Sequence, residues 1–208
     1  MKSQSDWDAA LFAAAHDGDL AKASDALAVG ANVNAANAHH VTPLLEAAGC
    51  GHLEMARYLI DHGAEIDYTG MGEGSPLMLA AYMGQLDFLR LFLERGANVD
   101  LAMPNGGETA LHMAAANGRT AAVRLLLDAG ADLSRHVRSD VPTDMFAGDV
   151  KLRGEAPLHF AAAYGDEEMI QAMLSAGADR EARNTHGETP LNYAVRHSRP
   201  RGVLDLLK

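Results

Sequence analysis

The chain has 208 residues, 48% of them hydrophobic but only 5% aromatic, and a formal net charge of −11 at pH 7. This length and apolar content suffice for one core or one solenoid, and the abundance of alanine favours short, closely packed helices. The negative charge argues against nucleic acid as the main partner, because phosphate binding needs clustered cations.

Charge is distributed unevenly along the chain. Residues 1–134 carry seven Lys and Arg against 17 Asp and Glu, a balance of −10, whereas residues 135–208 carry 10 against 11, a balance of −1. We therefore expect one strongly acidic end and a protein partner with a basic patch. The first residues lack the apolar core of a signal peptide, and no apolar run is long enough to span a bilayer. These features predict a cytoplasmic protein that does not bind a membrane.

The dominant pattern is a repeat of about 33 residues. One leucine recurs in segments such as "TPLLEAAGCGHLEMARYLIDHGAEID" and "TALHMAAANGRTAAVRLLLDAGADLS". Its successive steps are 33, 33, 34, 47 and 33 residues, and the positions are Leu11, Leu44, Leu77, Leu111, Leu158 and Leu191. Self-similarity at such a period is typical of a solenoid built from stacked repeats.

Each unit predicts two helices joined by a tight turn. Thr42 or Thr189 is suited to cap a first helix that begins at Pro43 or Pro190. Paired alanines in the first helices allow neighbouring units to approach closely. A glycine in the left-handed conformation is then expected to reverse the chain, at Gly51, Gly84, Gly118 and Gly165.

These segments resemble ankyrin repeats, whose units start with Thr-Pro-Leu-His-x-Ala and end with Gly-Ala-Asp-x-Asn. The resemblance covers about residue 7 to the C-terminus and implies an all-α solenoid of stacked helix-turn-helix units with projecting β-hairpin fingers. His112 and His159 occupy the motif histidine position, where the resemblance implies a structural hydrogen bond to the helix cap. It predicts a single domain, 1–208, of six repeats with degenerate first and last caps, at about 7–34, 40–67, 73–100, 107–134, 154–181 and 187–208.

The 47-residue step indicates one lengthened finger, an insertion at about 135–153. "DVKLR" (149–153) alternates polar and apolar residues and predicts a strand, and "RHVRS" (135–139) predicts a weaker partner strand. Pro142 and Gly148 place the tip of this hairpin at about 141–148. Two alternatives remain open for Met145 and Phe146: they pack back on the body, or they anchor a partner.

The sequence motifs predict no catalytic residue, metal site or cofactor. Cys50 and His52 flank Gly51, but no third residue is evident to orient the histidine. His39 and His40 are adjacent, yet no further ligand completes a set. An accessory subunit or Cys-dependent enzyme using Cys50 and His52 stays an alternative, as does self-association through the finger.

The remaining candidates are surface residues, since the resemblance implies that partners bind a concave groove lined by first helices and fingers. We therefore predict a monomeric, non-catalytic protein-interaction module. The helix positions of the groove are His16, Asp17, Cys50, Tyr82, Met83, Asn117, Tyr164, Arg196 and His197. The finger positions are His39, Val41, Met71, Glu73, Asn105, Glu108, Arg183 and His186.

The partner-binding prediction is narrower than this groove set, because aromatic residues, Met and Arg are enriched at interfaces. An alternative for Tyr82 and Tyr164 is ordinary packing between neighbouring helices. The predicted contacts are Tyr82, Met83, Asn117, Tyr164, Arg196 and His197 in the groove, and Arg138, Met145, Phe146, Lys151 and Arg153 in the finger.

Overall fold

The computed structural model describes residues 3–70, 74–142 and 151–208. Over these residues the chain forms twelve α-helices and two short strands, β1 (Ser139–Pro142) and β2 (Lys151–Arg153). The helices are α1 (Gln4–Asp17), α2 (Leu20–Ala28), α3 (Pro43–Cys50), α4 (Leu53–Asp61), α5 (Pro76–Met83), α6 (Leu86–Glu94), α7 (Ala110–Ala116), α8 (Thr120–Asp128), α9 (Pro157–Tyr164), α10 (Glu167–Ser175), α11 (Pro190–Arg196) and α12 (Arg201–Leu206). None of these helices has both the length and the hydrophobicity needed to cross a membrane.

The helices form two rows. Helices α1, α3, α5, α7, α9 and α11 contact one another in this order and make an inner row, while α4, α6, α8, α10 and α12 follow one another in an outer row. The stack continues across the long finger, because α7 contacts α9 and α8 contacts α10. The architecture is thus the all-α solenoid of paired helices that the repeat predicted.

Small residues set the spacing of the inner row. In each of the first five repeats two consecutive alanines are fully buried where neighbouring inner helices meet. With only a methyl group at these positions, helix axes approach closely. The pairs are Ala14–Ala15, Ala47–Ala48, Ala80–Ala81, Ala114–Ala115 and Ala161–Ala162.

The predicted caps fix the starts of the inner helices. The Thr42 hydroxyl accepts a hydrogen bond from the Leu45 amide at 3.3 Å, and Pro43 is the first helical residue. Thr189 caps α11 in the same way. Repeat one has no Thr-Pro; its helix begins at Gln4, where Ser3 supplies the cap. Each cap satisfies an amide that otherwise has no partner within the helix.

The motif histidines make the hydrogen bonds that the resemblance implied. His112 Nδ1 accepts from the Thr109 amide at 3.1 Å, and His159 Nδ1 accepts from the Ala156 amide at 3.1 Å. His159 Nε2 then donates to the carbonyl of Glu188 in the next repeat at 3.0 Å. Burial lowers the pKa of His112 to about 3 and that of His159 to about 4, so both rings are neutral at pH 7.

The glycine turns follow the prediction at three of four sites. Gly51, Gly84 and Gly118 have φ values of 80°, 74° and 65°. At Gly165 the prediction was wrong, because φ is −79° and ψ is 167°, an extended conformation. A Cβ atom there would lie 2.6 Å from Met169 Sδ and 2.7 Å from the Ala161 carbonyl oxygen, so close packing rather than a left-handed turn requires glycine.

The long finger carries the two strands. β1 pairs antiparallel with β2, with Ser139 opposite Arg153 and Pro142 opposite Lys151. Two details of the prediction were wrong: the first strand begins at Ser139 instead of spanning 135–139, and residues 141–142 belong to it rather than to the tip. The Val137 amide donates to the Glu155 carbonyl at 2.9 Å in the same register as Ser139 and Arg153, so the segment before Ser139 continues the pairing through one hydrogen bond but not as a strand.

The base of this finger is bonded on both sides. The Arg138 amide donates to the Gly106 carbonyl at 2.6 Å, and Arg138 Nη1 donates to the Pro104 carbonyl at 3.1 Å. On the other side the amide and hydroxyl of Thr185 each donate to the Arg153 carbonyl at 2.7 Å. The insertion therefore leaves the stack through a base that is fixed to the preceding and following fingers.

Candidate functional site

The predicted helix positions lie at the C-terminal ends of the inner helices, at two successive places in each repeat. We call this set the groove surface: His16, Asp17, Cys50, Tyr82, Met83, Asn117, Tyr164, Arg196 and His197. Its large apolar members are open to solvent, since Tyr82, Met83 and Tyr164 are 38%, 39% and 47% exposed. Side chains of this kind are the usual anchors of protein interfaces.

Two groove residues from neighbouring repeats contact each other. The ring of Tyr164 meets the ring of His197 edge to face, with centroids 5.1 Å apart. Partial burial lowers the pKa of His197, and the charges of Arg196 and Arg199 lower it further. A neutral imidazole beside a half-exposed tyrosine gives this end of the groove an aromatic surface.

The two predicted arginines Arg153 and Arg196 meet at one carboxylate. Arg153 Nη1 lies 3.5 Å from Glu188 Oε2, and Arg196 forms an ion pair with the other carboxylate oxygen of Glu188. The guanidinium of Arg196 also lies over the Tyr193 ring, 5.2 Å from its centroid. Both arginines keep close to half of their side-chain surface exposed, which leaves donors for a partner.

Other predicted contacts are already engaged within the chain. Asn117 is half-buried and donates to the Met113 carbonyl at 2.9 Å, and Arg138 is held by the neighbouring finger. The assignment of Glu108 to the groove was wrong, because its side chain is buried. Met71, Glu73, Met145 and Phe146 lie outside the described residues, as does the side chain of Lys151.

The pair of Cys50 and His52, on which the enzyme alternative depends, does not form. His52 Nε2 donates instead to the carbonyl of His16, at 2.8 Å, at the end of α1. The imidazole nearest to Cys50 is that of His16 in the preceding repeat, with 3.5 Å between Sγ and Nδ1. The first groove positions thus bring together residues from two repeats.

Glu46 completes this cluster and was missed from the sequence. Its Oε1 lies 2.7 Å from His16 Nδ1 and 3.8 Å from Cys50 Sγ. The hydrogen bond to Glu46 raises the pKa of His16, while burial and the Glu46 charge raise the pKa of the Cys50 thiol. The available signal was the i,i+4 spacing of Glu46 and Cys50, which places both on one helix face.

The geometry of the cluster does not suit nucleophilic catalysis. Glu46 and Cys50 both approach Nδ1 of His16, so the imidazole cannot be oriented by one nitrogen while it accepts a proton at the other. A raised thiol pKa also reduces the thiolate fraction. Three metal-ligating atom types nevertheless converge within 4.8 Å of one another.

Comparisons with known proteins agree with this architecture. The family model for ankyrin repeats matches three times, over residues 1–70, 69–136 and 140–208. Among solved structures, the chain is similar to an ankyrin repeat domain from Acinetobacter baumannii AYE, with 27% identity, a TM-score of 0.78 and coverage of 95% of both chains. No curated protein sequence matches the chain at a significant level.

Proposed function

Since the chain belongs to the ankyrin repeat family, whose members are generally protein-interaction modules, we propose that it is a non-catalytic scaffold, adaptor or inhibitor. It holds a folded partner or a peptide on the groove surface, and the finger of residues 135–153 adds a second contact. We further propose that the protein is a cytoplasmic monomer and that its partner is neither nucleic acid nor membrane.

The observation that carries this proposal is the exposure of Tyr82, Met83 and Tyr164. All three lie on the same side of the inner row, at positions where repeats one and two carry His16, Asp17 and Cys50. Burying such side chains against a partner removes apolar area from water, which is the main favourable term in association. Arg153 and Arg196, which are partly exposed further along the chain, supply hydrogen bonds to the partner and fix its orientation.

The charge of the chain indicates the partner's chemistry. The first four repeats carry nearly all of the net negative charge, whereas the region from residue 135 onward is close to neutral. A partner whose basic patch faces repeats one to four, and whose apolar patch meets the tyrosines, would complement both properties.

Site-specific photo-crosslinking tests this proposal. A photoreactive phenylalanine analogue replaces Tyr82 or Tyr164 in the full chain, which is then irradiated in a native lysate. We expect both positions to capture the same protein, because both face the groove. Matched controls carry the analogue at Arg90 of α6 or Gln171 of α10, which are exposed on the outer row. Capture of a protein at the outer positions alone, with none captured at Tyr82 or Tyr164, would refute the proposal.

A further inference from the structure

We propose that His16, Glu46 and Cys50 form a binding site for a divalent transition-metal ion, with Zn²⁺ as the preferred ion. The ligands come from two neighbouring repeats: His16 lies near the end of α1, and Glu46 and Cys50 lie on α3. Imidazole nitrogen, carboxylate oxygen and thiolate sulfur are the three donor types that zinc takes in proteins.

The distances between the donor atoms are close to those of a zinc tetrahedron. Zinc–ligand bonds of ordinary length place the nitrogen and oxygen about 3.4 Å apart and each of them about 3.6 Å from the sulfur. Here Sγ of Cys50 lies 3.5 Å from His16 Nδ1 and 3.8 Å from Glu46 Oε1. Only the distance between His16 Nδ1 and Glu46 Oε1, now 2.7 Å, must increase. These two atoms share a hydrogen bond that the ion would replace.

Access and charge also favour a cation at this cluster. His16 and Cys50 are exposed and Glu46 is half-buried, so an ion reaches the three donor atoms without a change in the backbone. Asp17 adds a further negative charge close enough to act on both His16 and Cys50. The site lies in the acidic part of the chain, where the long-range field attracts cations.

Binding follows a simple proton balance. The thiol proton of Cys50 leaves to solvent when the thiolate binds, and Nδ1 of His16 loses to solvent the proton that it donates to Glu46. Once Nδ1 takes the metal, the ring is neutral with its single proton on Nε2; an imidazole that was already neutral takes this proton up from solvent. Three protein ligands leave a fourth position for water. Because the ion would join α1 to α3, it would also stabilise the contact between repeats one and two.

Competition with a chromophoric zinc chelator tests the site directly. The full chain is used without a histidine tag, and zinc chloride is the probe. We expect one equivalent of Zn²⁺ to bind, and Cys50→Ser and Glu46→Gln each to weaken the affinity by about tenfold or more, since even changes outside the ligand set cost about 10–100-fold. His62→Ala is the matched control: His62 is exposed at the end of α4 and bonds to the carbonyl of Tyr58.

Two further readouts separate ligand loss from misfolding. Co²⁺ should give the near-ultraviolet absorption of a thiolate–metal bond in the wild type and not in Cys50→Ser. Excess Zn²⁺ should raise the Tm of the wild type but not that of Cys50→Ser, whose circular dichroism without metal should match the wild type. Absence of saturable zinc binding, or binding that Cys50→Ser and Glu46→Gln leave unchanged, would overturn the proposal.

Discussion

Single residues at the motif histidine position couple stability to pH. His112 and His159 are neutral in the folded protein, with pKa values lowered to about 3 and about 4, whereas an unfolded histidine titrates near 6.5. Below pH 6.5 the unfolded state therefore binds more protons than the folded state, and the free energy of unfolding falls as pH falls. The stabilisation is complete above pH 6.5 and is lost progressively down to about pH 4 for His159 and about pH 3 for His112.

The variant His112→Asn isolates this effect. Asn192 occupies the same position in repeat six, where its Oδ1 accepts from the Thr189 amide at 2.8 Å, so asparagine suits the cap but does not titrate. We expect the loss of unfolding free energy between pH 7.5 and pH 5 to be smaller in the variant by about 2 kcal/mol. Urea denaturation at both pH values measures it. Parallel pH dependence in the two proteins would show that His112 is not the titrating group.

At the scale of helices, the inner row depends on small side chains at one stacking position. Ala115 and Ala162 occupy it in repeats four and five and are fully buried, whereas Val195 occupies it in repeat six and is 61% exposed. The difference arises because, among the described residues, no further inner helix packs on α11.

Exchanging alanine and valine at these two sites should change the stability at one site and leave it nearly unchanged at the other. Ala115→Val forces two methyl groups into the contact between α7 and α9, and we expect a loss of about 1–3 kcal/mol of unfolding free energy. Val195→Ala removes two methyl groups from an exposed surface, and we expect a change within about 0.5 kcal/mol. Urea midpoints measure both. Equal effects would mean that α11 is covered by something absent from the described fold.

Shortening the long finger should leave the stability of the stack nearly unchanged, provided that the hydrogen bonds at the base of the finger are kept. Replacing residues 140–152 by Asn-Gly leaves Ser139 and Arg153 joined by a two-residue hairpin turn and keeps the bonds of Arg138 and Thr185. We expect an unfolding free energy within about 1 kcal/mol of the wild type, because loop length alone contributes little.

Deletion of residues 138–151 provides the comparison for that replacement. It removes Arg138 with its hydrogen bonds to the preceding finger, and we expect a loss of about 1–3 kcal/mol. Urea denaturation distinguishes the two variants. If the Asn-Gly replacement loses as much unfolding free energy as the deletion, the hydrogen bonds of Arg138 are not what fixes the finger.

The repeat made the helices predictable, and local chemistry explains the exceptions. The leucine spacing recurs in all six units and the buried alanine pair in the first five, so several copies of one pattern report the same structure. Gly165 departed because its environment, not its neighbours in sequence, sets its conformation. Glu46 was missed because it contacts His16, which lies in the preceding repeat and 30 positions earlier in the sequence. Periodicity within one unit does not reveal such a contact.

At the scale of the whole molecule, the acidic first four repeats should speed association with a basic partner. The balance of −10 over residues 1–134 attracts a positive surface over distances comparable with the Debye length. We expect the association rate constant to fall as salt rises from about 50 to about 500 mM, while the dissociation rate constant changes less. Stopped-flow measurements with the captured partner test this, and an association rate that is independent of salt would contradict it.

The affinity of the captured partner for groove variants tests whether the groove surface is the binding site. Isothermal titration compares the wild type with the double variant Tyr82→Ala/Tyr164→Ala and with an outer-row control, Arg90→Ala/Gln171→Ala. We expect the tyrosine variant to bind at least about tenfold more weakly, because buried anchors are lost, and the control to bind like the wild type. Unchanged affinity in the tyrosine variant, with weakened binding in the control, would place the interface on the outer helices.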